Sequence, residues 1–162
     1  MPPTIRLATA ADAATIHGFI VALAVYEREP DAVEVTPAVL AAQMASARPP
    51  FECLLAEVDG AAVGCALFFQ TYSTWRGRIG LHLEDLFVLP EHRRRGVGTA
   101  LLGRLAGVAL ERGCARLEWA VLDWNLPAIE FYRASGAAPL EEWTTWRVSD
   151  EGLLALRGGA AD

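Results

Sequence analysis

The chain has 162 residues, 53% of them apolar, with 14 basic and 20 acidic side chains and a formal charge of −6. That length suits one domain, residues 1–162, around a full hydrophobic core, and the acidic balance argues against nucleic acid as a partner. No apolar run reaches a membrane span and the start, Met1-Pro2-Pro3-Thr4, lacks a signal region, so a soluble cytoplasmic protein is expected.

Thr4–Leu7 reads as a short strand. From Ala11 to Arg28, Ile16, Ile20, Leu23 and Ala24 recur on one helical face. Pro30 and Pro37 bracket an acidic link, and a second helix is expected from Pro37 to Ser46, ended by Pro49-Pro50. Glu52–Val58, Asp59-Gly60 and Ala62–Thr71 predict a hairpin with an Asp-Gly turn. Gly80–Leu89 predicts another strand with Glu84-Asp85 at its middle. Side chains alternate along a strand, so the two carboxylates are expected on opposite faces. A charged pair there requires a cleft or a partner on at least one side.

A helix from Val97 to Arg112 places Leu101, Leu102, Leu105, Val108 and Ala109 on one face, and Gly113 stops it. Cys114–Leu122 then alternates Leu117, Trp119 and Val121 against Arg116, Glu118 and Ala120, which predicts a strand. Asn125-Leu126-Pro127 opens a helix closed at Ser135-Gly136. A last strand, Glu142–Val148, and an amphipathic tail, Glu151–Leu156, complete the order. The pattern is α+β, with helices packed on the faces of a mixed sheet. Cys53, Cys65 and Cys114 sit in apolar, strand-like text and read as buried reduced thiols. His82 and His92 are too sparse for a ligand set, so no metal is expected.

The segment between the strand and the helix at Val97 is the most specific. It runs Leu-Pro-Glu-His-Arg-Arg-Arg-Gly-Val-Gly-Thr from Leu89 to Thr99. A helix start offers unpaired N–H groups and the positive end of its dipole to an anion. Glycines at 96 and 98 let the backbone approach closely, and three arginines add permanent charge. A phosphate-loop NTPase is excluded because no lysine follows, the chain having none. A dinucleotide fingerprint would require a third glycine. What remains is a pyrophosphate cradle or a plain strand-helix turn with solvated arginines.

Arg93-x-x-Gly96-x-Gly98 after a strand resembles the acetyl-CoA loop of the GCN5-related N-acetyltransferases. Four further stretches look like the diamine acetyltransferases, the spermidine/spermine and thialysine branch of that superfamily. They are Leu23 to Glu27, Leu83 to Val88, Asp123 to Gly136 and Trp146-Arg147. The resemblance implies the GNAT fold: a mixed, mostly antiparallel sheet splayed at the acetyl-CoA site, with helices on both faces. It implies acetyl-CoA as co-substrate, a small cationic amine as acceptor, and a homodimer.

It also implies site residues. Leu86, Phe87 and Val88 would bind the pantetheine arm through their backbone. Arg94, Arg95, Gly96, Val97, Gly98 and Thr99, with Arg93 beside them, would hold the pyrophosphate. Asn125, Leu126 and Pro127 would contact the cofactor at the next helix start. Tyr132 would face the sulfur and protonate the departing thiolate. An alkylamine arrives protonated, with a pKa near ~10.4, and Glu84 would accept its proton while Asp85 adds an anionic contact. Tyr26, Glu27, Trp75, Glu118, Trp119 and Ala120 would line the acceptor site. Glu118 and Thr144 depart from the polyamine enzyme's residues, which leaves the amine open. Read without the resemblance, Tyr132 is better taken as a core or interface tyrosine, Glu84 and Asp85 as ion-pair partners for arginines, and Tyr26-Glu27 as an exposed helix end. An acceptor on a peptide or protein lysine, or a non-catalytic CoA-binding regulator, are the alternative functions.

Overall fold

The computed structural model describes residues 2–158, which form two compact units dividing after Asn125. In the first unit five strands lie in the order β1 (Thr4–Leu7), β2 (Glu52–Val58), β3 (Ala61–Ser73), β4 (Arg78–Val88) and β5 (Leu117–Glu118). The first four run antiparallel in sequence, and β5 pairs parallel to β4. That parallel step is a crossover through a helix, α3 (Val97–Glu111), as such connections require.

Two helices, α1 (Ala13–Tyr26) and α2 (Pro37–Met44), cover one face. Ala13, Ile16 and Phe19 from α1 and Leu40 from α2 pack there with Cys53, Leu55, Cys65, Leu67 and Phe87 of the sheet. The residues between them along the strands, among them Leu54, Phe68, Leu81 and Leu83, are also buried. They serve the α3 face, where Arg112 lies over the Phe68 ring at 5.9 Å. All five α3 residues expected on its apolar face are buried.

Local chemistry explains these elements. Asp59 and Gly60 both hold positive φ, 52° and 79°, as the tight β2–β3 turn requires. Thr36 caps α2 by accepting from Val39 N–H, with Pro37 at the first helical position. Gly64 lets β3 and β4 close together, since a Cβ there would stand 2.6 Å from the Phe87 carbonyl oxygen.

One irregularity in β4 matters for the site. Phe68 pairs with Leu83 and Leu67 pairs with Asp85, so Glu84 is an extra residue in a β-bulge. Leu67 and Phe68 are neighbours on β3 and face opposite ways. Leu83 and Asp85 therefore face opposite ways too, whereas a regular strand would put them together.

Two expected strands differ. Instead of Cys114–Leu122, only Leu117 and Glu118 pair, with Leu81 and His82. Arg116 accepts from Leu81 N–H at 3.0 Å, and beyond Glu118 no pairing with β4 continues. In the second unit, α4 (Leu126–Ala134) and α5 (Glu151–Arg157) form where expected. Glu142–Val148 is not a strand. Trp143 and Trp146 stand three apart around two threonines, which breaks the two-residue period, and both are exposed.

Candidate active site

Beyond His82, β4 has no strand on its second edge among the described residues. Leu89 N–H donates to the Val63 carbonyl, so odd-numbered residues of β4's end turn their backbone towards β3. Leu86 and Val88 consequently present theirs to the open edge, and Phe87 presents its side chain to the α1 face. Main-chain groups at this edge that no strand pairs can take an extended, amide-bearing ligand as a further strand would be taken.

The loop after β4 turns on two left-handed residues, Arg94 at φ 60° and Gly96 at φ 80°. For an arginine that conformation costs about 1–2 kcal/mol. Strain of this kind collects at ligand clamps. Val97 is buried and anchors the start of α3, while Arg94, Arg95 and Thr99 are exposed and Gly98 is half-buried. Exposed guanidinium groups and a helix N-terminus together suit a diphosphate-bearing ligand.

Arg93 does something different. Its Nε donates to the Val88 carbonyl at 2.9 Å, and its guanidinium lies over the rings of Tyr26 and Phe87, at 5.1 and 5.7 Å. It braces the end of β4 against the end of α1. Tyr26 is braced again from behind. Its hydroxyl donates to Oδ1 of the buried Asn125 at 3.0 Å, and its ring lies 6.1 Å from Trp124. Arg28 in turn covers Trp124 at 4.1 Å.

The bulge decides the electrostatics. His82 and Glu84 share a face, joined by a 3.3 Å contact from Nε2 to a carboxylate oxygen. Asp85, paired with Leu67, lies on the α1 face, as does His82, whose ring meets Phe69 at 5.0 Å. Glu84 and Asp85 therefore share one face, contrary to simple alternation. Glu27, directly after α1, joins them. Burial pushes the Asp85 carboxyl up to about 6, with the Glu84 and Glu27 charges adding to the effect. Glu27 is raised too, by burial first and then by Glu84. Neither Glu84 nor Asp85 has an arginine within ion-pair distance among the described residues, although Glu52, Glu57, Glu111 and Glu118 all do.

The other expected residues are placed as follows. Glu118 is held by Arg116 at 3.1 Å, Trp119 is half-buried and Ala120 is exposed. Trp75, on the β3–β4 turn, is 90% exposed. In the second unit Tyr132 is half-buried on α4 with its ring 5.3 Å from Phe131, and Leu126 and Pro127 are exposed at the helix start. Thr144 and Trp146 are exposed. Cys53 and Cys65 are buried free thiols and Cys114 is a half-buried one. No group of side chains among the described residues is arranged to hold a metal ion. His82 and the bracing role of Arg93 were absent from the expected site. A histidine two places before Glu84 on a strand was the available signal, since i and i+2 share a face.

Residues 20–137 match the Acetyltransferase (GNAT) family. The bovine (Bos taurus) thialysine N-epsilon-acetyltransferase is 38% identical, across 95% of this chain and 96% of its own. The human (Homo sapiens) spermidine/spermine N(1)-acetyltransferase-like protein 1 is 35% identical across 94% of this chain, which spans 23% of that longer protein. Among solved structures, an integron cassette protein from the mobile metagenome of V. cholerae shares the fold. Its TM-score is 0.80 at 24% identity, covering 97% of this chain and 98% of that one.

Proposed function

The chain belongs to the acetyltransferase (GNAT) family and is an N-acetyltransferase, and we propose that its acceptor is a small cationic primary amine of the polyamine or thialysine kind. One observation carries the reading: Glu27, Glu84 and Asp85 share a face beside the open edge of β4, and no arginine among the described residues stands within ion-pair distance of them. Carboxylates without a guanidinium partner and partly desolvated favour a cation. The names of the bovine and human relatives point to acceptors of that charge.

Acetyl-CoA, the family's co-substrate, supplies an activated acyl group on a thioester. Leu86 and Val88 offer backbone groups along the open edge, and the loop from Arg94 to Thr99 offers positive charge and N–H donors. Glu84 takes the ammonium proton, directly or through water, because only the free amine has a lone pair for attack. Asp85 and Glu27 hold the remaining positive charge of the acceptor. Main-chain N–H groups beside Leu86 to Val88 stabilise negative charge on the acyl oxygen. Tyr132 on α4 protonates the departing thiolate, a role supported by its place in the Asp123 to Gly136 segment.

A cytoplasmic homodimer completes the proposal. Three free cysteines suit a reducing compartment. Trp143, Trp146, Val148, Leu153 and Leu156 leave the second unit with exposed apolar side chains that suit a partner surface. No helix among the described residues is long and apolar enough to cross a membrane.

A thiol-release assay with acetyl-CoA against polyamines, thialysine and short peptides tests the acceptor. Turnover with the small amines is expected. Release with peptides alone would replace the acceptor, and CoA binding without turnover on any amine would mean a regulator. Tyr132→Phe should lower turnover by roughly 10²–10⁴-fold.

A further inference from the structure

Glu84 occupies the extra position of the bulge, so no ladder partner fixes its backbone, and its side chain is 55% exposed. A glutamate so placed samples its side-chain torsions freely, and ordering it for proton transfer carries an entropic cost. We infer that His82 is a positioning residue for Glu84, binding one carboxylate oxygen at 3.3 Å through Nε2 while Phe69 across the ladder holds the imidazole at 5.0 Å. The inference rests on the reading of Glu84 as proton acceptor.

The geometry follows from the strand. His82 and Glu84 are two apart on β4 and share its α1 face, and the bulge starts only after Leu83. Phe69 is the register partner of His82, so the ring is clamped from the neighbouring strand rather than from a loop. With Nε2 standing 3.3 Å from a carboxylate oxygen and the ring held by Phe69, this polar contact restricts the carboxylate's rotamers. The other charges facing this pair are carboxylates: Asp85 on the same strand, Glu27 from the end of α1, and Glu118, the β5 register partner of His82, which Arg116 already holds.

The test compares His82→Phe, which keeps a ring for Phe69 and loses the donor, with His82→Gln, which keeps an N–H donor. Steady-state kcat and KM for both substrates are measured alongside thermal melts. His82→Phe should lower kcat about tenfold with the acetyl-CoA KM unchanged, the scale expected of a misplaced reacting group. His82→Gln should recover most of kcat. In a Glu84→Gln background, His82→Phe should change nothing further. Unchanged kcat in His82→Phe, equal losses in the Phe and Gln variants, or an additional loss in the Glu84→Gln background would each overturn the positioning role. Full turnover in Glu84→Gln alone would instead remove the base assignment on which the inference stands.

Discussion

Asp12 and Asp85 begin from the same ordinary value of 3.8 and move in opposite directions, to about 2 and about 6. Asp12 sits in the single 3₁₀ turn that leads into α1. Arg6 on β1 grips it with two N–H···O bonds of 2.9 and 2.8 Å, and Thr9 N–H adds a third at 2.7 Å. The same arginine reaches Glu57 on β2 at 2.8 Å, so it ties two strands to the entry of a helix. Asp85 has the reverse surroundings, a half-buried place in β4 and two further carboxylates. A carboxylate that holds the fold together is given its cation by the protein. Asp85, proposed to meet an amine acceptor, is given none.

The signs for stability are opposite as well. Asp12 has a lowered value, so its contribution is present above about 4 and is lost as pH falls towards about 2. Asp85 has a raised value, so folding bears the burial of its charge as pH rises from about 4 through about 6.

Four variants would break or sharpen this contrast. The largest effect should come from Glu84→Gln, which removes the proposed proton acceptor: turnover should drop by roughly 10²–10³-fold while the melting temperature holds. Asp85→Asn should come next. Moving an ionisation from 3.8 to about 6 corresponds to about 3 kcal/mol, so the variant should be more stable than the parent by up to that amount at pH 8 and no more stable at pH 4. Urea titrations at the two pH values read this directly, and the amine KM should rise at the same time. If Asp85→Asn is destabilising at pH 8, the carboxylate is structural and the contrast collapses. Arg6→Ala should lose about 1–2 kcal/mol, a charge-assisted hydrogen-bond effect reduced by partial exposure, with kcat unchanged. The smallest effect belongs to Arg94→Gly, which relieves the left-handed arginine: a gain of about 0.5–1 kcal/mol, set against a higher acetyl-CoA KM.

Periodic segments were legible in the chain. The β2–β3 hairpin and its Asp-Gly turn, the α2 boundaries and the buried stripe of α3 follow from local spacing. Strands that depend on distant partners were not. Trp119 and Val121 alternate well enough for a strand, yet β4 pairs only as far as Glu118, so β5 is short. Glu142–Val148 has strand-forming residues without a ladder. At the site, the residue types and the glycine loop were readable, but not the folding back of Arg93, which depends on where the Val88 carbonyl points. Nor was the common face of Glu84 and Asp85, because an irregularity in pairing leaves no mark in the alternation of one strand.

That irregularity gives the site a dependence on counting. A single supernumerary residue shifts β4 by half a period, so Leu81 and Leu83 serve one core while Phe87 serves the other. Substitutions can change what chemistry stands at positions 84 and 85, but only an insertion or deletion can change which side they stand on. Removing one residue between Leu83 and Leu86 would reverse the phase and exchange the two faces for everything downstream in the strand. The acidic face is thus protected against point mutation and exposed to frame slips of the ladder, a vulnerability in the spelling's length rather than its letters.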